Sequence, residues 1–150
     1  MTNSWTDIKN TDLVVIMGGN AAEAHPCGFK WVTEAKANRG AKLIVIDPRQ
    51  IALVKTPHVQ ADYHLQLRPG TNVGVINSIA HVIVKEGLLA ESYIKERCDM
   101  AAFERWKNFI AEDRNSPETM ESSVFLIHGN CRKGRNVDLC KSIAPLGRRT

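Results

Sequence analysis

Long apolar runs and leader-like segments are absent from this sequence. No stretch reaches the roughly 18 uninterrupted apolar residues of a membrane-spanning helix, and no basic segment leads into an apolar one, as a secretory signal peptide requires. Apolar residues make up 43% and charged residues 24% of the chain, which is the balance of an ordinary soluble domain. We therefore expect a cytoplasmic protein with no membrane segment.

Cysteine is scarce, and its spacing excludes the common metal motifs. The four cysteines are never paired at the short intervals that zinc and iron–sulfur ligands need, so the sequence predicts no metal site. Because nothing in the sequence suggests secretion, we expect free thiols and not disulfides. The cysteines are Cys27, Cys98, Cys131 and Cys140.

Acidic residues and aromatics are scarce at the carboxyl end of the sequence. Residues 129–150 carry six arginines or lysines against the single acidic residue Asp138, so the net charge of +4 is concentrated there. Without interleaved aromatics such a segment is a weak nucleic-acid signal, and we expect an irregular basic tail with no nucleic-acid partner. An adaptor that binds an acidic partner through this tail is an open alternative.

A strand, a helix and a second strand follow one another in the first third of the sequence. Two apolar runs end at Gly18 and Asp47, as expected of strands buried on both faces of a parallel sheet. Between them, Pro26 suits a first helical position and Gly40 suits a C-cap. Such a unit is right-handed and binds ligands at the carboxyl edge of its strands. The predicted elements are strands Leu13–Met17, Leu43–Ile46 and Tyr63–Leu67 and a crossover helix from Pro26 to Arg39.

Helical periodicity follows the third predicted strand. A first helix begins at Thr71 or Asn72 and ends at Gly87. Two amphipathic helices come next, over Leu89–Arg97 and Met100–Ile110, and we expect their aromatic residues in the core. Asp99 is the predicted N-cap of Met100–Ile110, and Ser116 is the predicted N-cap of a further helix that begins at Pro117. The predicted apolar face of the first helix is Val73, Ile76, Ile79, Ala80 and Ile83.

Together these elements predict an α/β fold, in the form of a Rossmann-like three-layer parallel sheet flanked by helices. We expect residues 1–128 to form an incomplete domain of this kind and residues 129–150 to lie outside it. The segment Gln50–Gln60 joins the second and third strands. We expect it to be a surface loop that includes Lys55 and His58.

Loops beside the strand ends carry residues suited to a nucleotide-like ligand. Asp47 ends the second strand and can accept hydrogen bonds from ribose hydroxyls, and Arg49 can reach a phosphate. Asp62 belongs to the same series of loops. In the turn Pro69–Asn72, backbone amides and polar side chains can face an anion or a base. Ordinary strand exits and helix caps are the alternative interpretation.

The glycine loop after the first strand lacks the G-x-G-x-x-G spacing of an ordinary NAD domain. Its small residues instead present Asn20 and Glu23 at the carboxyl edge of the strand. An amide and a carboxylate there can both hydrogen-bond to a polar heterocycle. Structural caps are again the alternative interpretation.

In this order, the motifs resemble those of one family. From Met1 to about Ser123 the chain resembles the alpha, or catalytic, subunit of molybdenum formate dehydrogenases, which belong to the molybdopterin oxidoreductases. Residues 129–150 are expected to be unrelated to that family, and the chain is expected to be a piece of a longer subunit. The motifs are Met1–Ser4, Ile8–Asp12, Gly19–Pro26, Asp47–Arg49, Ala61-Asp62 and Arg68–Asn72.

The resemblance implies a bis-molybdopterin guanine dinucleotide cofactor that carries molybdenum. Residues 1–128 then correspond to a piece of the Rossmann-like domain that binds molybdopterin guanine dinucleotide, and this piece holds one arm of the cofactor. The implied contacts are Asn20 and Glu23 after the first strand, Asp47 and Arg49 after the second, and Gly70 and Asn72 beside the phosphates or pterin.

The implied reaction, oxidation of formate to carbon dioxide at molybdenum, needs parts that this sequence lacks. We find no cysteine-cluster motif and no cysteine or selenocysteine in the position of the molybdenum ligand, so we assign no catalytic residue and no metal ligand. Iron–sulfur clusters are expected only in the missing parts of the parent subunit. The implied partners are the remainder of the alpha subunit and its electron-transfer subunits. A stand-alone nucleotide-binding or assembly module without redox activity is the alternative.

Two residues after the glycine loop have structural interpretations. His25 follows the family's His-Pro pattern and is expected to orient the loop or to cap the following helix. Cys27 lies just inside that helix, and we expect a buried structural thiol there.

Overall fold

The computed structural model describes residues 4–125. They form two units, of which the first ends at Gln66 and the second begins at Leu67. The predicted basic tail, residues 129–150, lies outside the described residues. The assignment of residues 1–128 to one cofactor domain stays a prediction.

The first unit contains a three-stranded parallel sheet in the order β1-β2-β3. Met17 of β1 lies opposite Ile46 of β2, and Ile46 lies opposite Leu65 of β3. The third strand is shorter than predicted, because Leu67 pairs elsewhere, with Phe125 in an antiparallel bridge of the second unit. The elements of this unit are a 3₁₀ helix Trp5–Asn10, β1 Leu13–Met17, α1 Ala21–Ala24, α2 Pro26–Arg39, β2 Lys42–Ile46, α3 Ala52–Lys55, a 3₁₀ turn Pro57–Val59 and β3 Tyr63–Leu65.

Helix α2 has the bounds that the sequence predicts. Pro26 occupies the first turn, and Gly40 ends the helix in the left-handed conformation with φ of 68°, which glycine adopts without a Cβ clash. Phe29, Val32 and Ala35 recur at a spacing of three and are buried, so this face covers the sheet core. The parallel strands joined by this helix confirm the predicted strand–helix–strand unit.

Strand β1 is not buried on both faces, contrary to the prediction from its apolar run. Val15 is half exposed, and β1 is one of the two outer strands of the described sheet. The central strand β2 meets the expectation, since Leu43 and Ile46 have almost no exposed surface. The apolar run therefore predicted each strand but not its place in the sheet.

The segment between β2 and β3 is not a surface loop, so that prediction is wrong. It folds into α3 and a 3₁₀ turn, and Leu53 is fully buried in the same cluster as Ile51 and Val59. Lys55 is exposed, as predicted. The side chain of His58 lies outside what the structure describes.

The second unit is helical. Two of its helices start as predicted: the Asp99 carboxylate accepts a hydrogen bond from the Ala102 amide at 2.8 Å, and the Ser116 hydroxyl accepts one from the Thr119 amide at 3.2 Å. Within residues 4–125, none of the helices has the length and apolar character needed to cross a bilayer. The helices are α4 Asn72–Lys85, α5 Glu91–Arg97, α6 Met100–Ala111 and α7 Pro117–Val124, with a 3₁₀ turn Asp113–Asn115.

Helix α4 buries a different face from the predicted one. Val73 and Ile76 are at least half exposed, whereas Ser78 and His81 are buried. The two polar side chains are satisfied there: the Ser78 hydroxyl donates to the Gly74 carbonyl, and His81 Nδ1 donates to the Ile110 carbonyl, both at 2.8 Å. The other buried positions of this helix are Val75 and Val82.

We expected the aromatic residues of α6 to lie in the core, but two of them are exposed. Trp106 and Phe109 are each about 40% exposed, and Ile110 is the buried residue of this helix. Phe103 and Trp106 pack together with their ring centroids 5.7 Å apart. The helical spacing was correct, but it overstated how much of the helix is covered.

Candidate functional site

The carboxyl ends of β1 and β2 lie side by side in the first unit. The Gly18 amide donates to the Ile46 carbonyl at 2.9 Å, one step beyond the strand ladder. Gly18 then turns the chain with φ of 67°, and nothing lies within 4 Å of where a Cβ would sit on Gly18 or Gly19. The two predicted loops, after β1 and after β2, therefore share one edge, and the glycine turn leaves space there.

Asp47 is almost fully buried at this edge, with 2% of its surface exposed. Its Oδ1 accepts hydrogen bonds from the Arg49 amide at 2.7 Å and from Arg49 Nε at 3.3 Å. Among the described residues we find no hydrogen bond to Oδ2. Most of the Arg49 side chain is in solvent. One carboxylate oxygen thus shapes the turn, and the other remains an acceptor for a ligand.

Asn20 carries a buried acceptor that residues 4–125 leave unsatisfied. Its Oδ1 has no contact with water and finds no hydrogen-bond partner in this part of the chain. A buried polar atom without a partner costs about 1–3 kcal/mol, and such atoms usually have one. A ligand that donates a hydrogen bond here would remove this cost. Glu23 lies one turn further on, in α1, and is exposed.

His64 in β3 and Gln66 just after it hold the loop that follows β2. The sequence analysis did not identify either residue. His64 Nε2 donates to the Asp47 carbonyl at 3.0 Å, and Gln66 Nε2 donates to the Pro48 carbonyl at 3.2 Å. Their spacing of two residues puts them on one face of an extended chain. The alternating polar positions after Tyr63 were the available signal.

The two remaining predicted residues, Gly70 and Asn72, belong to the second unit. Gly70 has φ of 86°, which favours glycine, and Asn72 is the exposed first residue of α4. The Thr71 hydroxyl shares its one proton between the Arg68 carbonyl at 2.7 Å and the Val124 carbonyl at 3.0 Å. Thr71 is thus the N-cap residue of α4, as predicted, but its hydroxyl closes the turn and makes no capping bond.

Asp62 lies at the opposite edge of the sheet from Asp47, because it precedes β3. It accepts hydrogen bonds from Lys36 Nζ, from the Leu43 amide at 2.9 Å and from Lys42 Nζ at 3.1 Å. Partial burial raises the pKa of this carboxyl. The hydrogen bonds from Lys36, Leu43 and Lys42 outweigh that effect and bring the pKa down to about 2. Asp62 thus joins α2, β2 and β3 and is remote from the ligand edge.

Replacing Asp62 with asparagine is expected to reduce the free energy of unfolding by about 1 kcal/mol near neutral pH, a modest loss because water screens these partly exposed pairs. The folded pKa lies below the ordinary value, so the stabilisation is present above about pH 4 and is lost as the pH falls through about 2. Urea unfolding of both proteins between pH 7 and pH 2 measures this. A difference that stays constant over that range would contradict the ion-pair explanation.

His25 occupies the N-cap position of α2, whereas Cys27 does not behave as the sequence suggested. His25 precedes α2 but its side chain makes no capping bond. Its ring instead stacks on Trp5 with centroids 6.1 Å apart. Cys27 is exposed, and not buried, because it lies away from the α2 face that carries Phe29. Cys98 is a second exposed free thiol.

A cavity of about 530 Å³ lies beside the start of α2. Trp5 can pack there because Gly28 has no side chain: a Cβ would lie 2.4 Å from the Trp5 ring. None of the six predicted cofactor contacts lines this cavity. It is lined by Trp5, Ala24, His25, Pro26, Cys27, Gly28, Lys30 and Trp31.

The strand edge fits a polar, nucleotide-like group better than it fits a metal ion. The unsatisfied Asn20 Oδ1, the Asp47 carboxylate and the open glycine turn together offer acceptors and space. Among residues 4–125, no three His, Cys, Asp or Glu side chains come together as a metal-binding group would need. The edge can therefore bind and orient a ligand through hydrogen bonds.

Among the known proteins that resemble this chain are two formate dehydrogenase major subunits. The chain is 57% identical over 79 residues to the formate dehydrogenase-O major subunit of Escherichia coli K12, covering 53% of this chain and 7% of that subunit. It is 41% identical over 113 residues to the nitrate-inducible formate dehydrogenase major subunit of the same organism, covering 75% and 11%. The chain thus spans about a tenth of the length of these relatives.

A solved structure and a family model extend the comparison. Acetylene hydratase from Pelobacter acetylenicus matches 87% of this chain, and 16% of its own, with a TM-score of 0.60 and 23% identity. That match shows the fold alone, and it confirms the predicted α/β class. The model for molybdopterin oxidoreductases matches residues 1–147, well past Ser123, so the expectation of unrelated sequence after residue 128 is wrong. The chain belongs to the molybdopterin oxidoreductase family.

Proposed function

We propose that this chain is the part of a formate dehydrogenase alpha subunit that holds one arm of a bis-molybdopterin guanine dinucleotide cofactor. The family implies a molybdopterin-type cofactor, and the relatives described above are formate dehydrogenase major subunits. The parent enzyme then oxidises formate to carbon dioxide. The partners of this chain are then the remainder of the alpha subunit and the electron-transfer subunits. A cytoplasmic location stays a prediction.

The observation that carries this proposal is the unsatisfied Asn20 Oδ1 in the loop after β1, at the same strand edge as the buried Asp47 carboxylate after β2. Guanine presents N–H donors and ribose presents hydroxyls, and both suit acceptors of this kind. Arg49 extends into solvent from the same turn, where a guanidinium can pair with a phosphate. In the proposal, Glu23 completes the contacts of the first unit. The assignment of Gly70 and Asn72 to the cofactor stays a prediction.

The contribution of this chain to catalysis is binding and orientation. When bound, the cofactor supplies a molybdenum centre that accepts the two electrons released by formate. Given the resemblance to formate dehydrogenases, we place the molybdenum ligand and the iron–sulfur clusters in other parts of the parent subunit. The protein's role at this edge is to fix the position of the cofactor, while the cofactor carries the chemistry.

Replacing Asp47 with asparagine is expected to weaken the binding of GDP by about tenfold, the equivalent of one charge-assisted hydrogen bond. GDP carries the guanine, ribose and pyrophosphate of the proposed arm. Asparagine keeps the size of the side chain and an acceptor for the Arg49 amide, so the turn is preserved while the charge is removed. Titration calorimetry with the full chain measures the dissociation constant.

Asp62 provides the matched control, because it is also an ion-paired carboxylate but lies at the opposite edge. The Asp62→Asn variant is expected to bind GDP as the wild type does. Equal affinity of the Asp47→Asn variant and the wild type would remove Asp47 from the site. Absence of GDP binding by the wild-type chain would count against the whole proposal.

A further inference from the structure

We propose that His64 and Gln66 are positioning residues for the turn Asp47–Arg49, through which they set the affinity for the guanine nucleotide. This inference rests on the proposed function, because it concerns the same binding edge. Neither residue belongs to the set that the sequence analysis assigned to the cofactor. Both act on the backbone of the turn and not on the ligand.

The contacts occur where the backbone ladder between β2 and β3 ends. The Asp47 amide donates to the Leu65 carbonyl at 3.2 Å, the last backbone bond between the two chain segments at this edge. The next two carbonyls, of Asp47 and Pro48, accept from His64 Nε2 at 3.0 Å and from Gln66 Nε2 at 3.2 Å. Side chains of one strand thus continue the pairing of the neighbouring strand by two residues.

Anchoring two successive carbonyls restricts the peptide planes between them. The peptide plane after Pro48 carries the Arg49 amide, which donates to Asp47 Oδ1 at 2.7 Å. If that amide points elsewhere, the buried carboxylate loses a short hydrogen bond and gains the freedom to rotate. The two anchors therefore preorganise the carboxylate, and preorganisation improves affinity by reducing the ordering that binding requires.

The chemistry of the contacts defines informative substitutions. A carbonyl only accepts, so His64 must carry its proton on Nε2. Phenylalanine at position 64 keeps a planar ring but has no donor, whereas glutamine restores an N–H group. Methionine at position 66 matches glutamine in length and has no donor. Each loss of one bond to a neutral carbonyl is expected to change a dissociation constant by about threefold to tenfold.

The first measurement uses the full chain without nucleotide. We expect the Arg49 amide to exchange with solvent deuterium about tenfold faster in the His64→Phe and Gln66→Met variants than in the wild type. Amides of β2 serve as the internal reference, and their exchange is expected to be unchanged. Unchanged exchange at Arg49, or an equal increase throughout β2, would overturn the positioning role.

The second measurement is GDP affinity. The His64→Phe variant is expected to bind about threefold to tenfold more weakly, and the His64→Gln variant is expected to recover wild-type affinity. Weak binding by both variants, or wild-type affinity in His64→Phe, would overturn the inference while the effect of Asp47→Asn still supports the proposed function. Absence of GDP binding by the wild type would instead defeat the proposed function, and the exchange rates would still decide whether these residues hold the turn.

Discussion

The Phe125→Ala variant is expected to lose about 3–5 kcal/mol of unfolding free energy, the cost of removing a fully buried phenylalanine ring. Phe125 has no exposed surface and pairs with Leu67 in an antiparallel bridge. Around it, the Arg68 amide donates to the Val124 carbonyl at 2.8 Å, and Arg68 Nε donates to the Phe125 carbonyl at 3.3 Å. Urea unfolding followed by circular dichroism measures the loss.

Phe109 offers a matched control within the same unit. It is 40% exposed on α6, and the Arg114 guanidinium lies 4.9 Å from its ring centroid. The Phe109→Ala variant is therefore expected to lose less than about 1 kcal/mol. If the two variants lose equal stability, Phe125 is not the centre of the second unit's core, and the closing bridge to Leu67 carries little energy.

The bridge at Phe125 shows what local patterns do not predict. The sequence assigned Leu67 to the third strand, since it continues the alternation of Tyr63–Leu65. In the structure it pairs with a residue 58 positions later. Alternation reports which face a side chain occupies, but the partner of a strand end is decided by contacts that are distant in sequence. The strand was predicted correctly and its last residues were not.

The sequence predicted the helix ends correctly where they are determined by one or two residues at the end itself. Pro26 and Gly40 bound α2 because one lacks an amide hydrogen and the other adopts the left-handed conformation. Asp99 and Ser116 each satisfy a free amide at a helix start. The order of strand, helix and strand follows from these signals, and so does the parallel sheet.

The buried face of α4 illustrates the opposite case. The polar residues of this helix lie on one side, so periodicity selected the opposite, apolar face. The buried face includes Ser78 and His81, whose polar groups are satisfied by backbone carbonyls, while Val73 is left largely exposed. Only the positions of neighbouring helices decide which face is covered.

The candidate site was predicted in part for similar reasons. Asn20 and Asp47 follow the strands directly, and parallel strands bring their carboxyl ends to one edge. Asp62 was grouped with them although it precedes its strand, so it lies at the other edge and forms ion pairs. His64 and Gln66 were missed because they act on backbone carbonyls, which side-chain motifs do not report.

Replacing Leu53 with alanine is expected to reduce the free energy of unfolding by about 2–5 kcal/mol, the range for a buried leucine whose cavity cannot fully collapse. Leu53 is fully buried, although it lies in a segment that the sequence predicted to be a surface loop. It packs in one cluster with Phe29 of α2 and Val45 of β2. Its side chain therefore anchors the connection between β2 and β3 to the core.

Lys55, two residues later in the same short helix, is exposed, and Lys55→Ala is expected to change stability by no more than about 0.5 kcal/mol. Guanidinium unfolding of both variants, compared with the wild type, separates a buried role of α3 from a peripheral one. Because α3 lies between the turn at Asp47 and strand β3, loss of the Leu53 anchor is also expected to weaken GDP binding. A Leu53→Ala variant as stable as Lys55→Ala would mean that the connection is a surface loop after all.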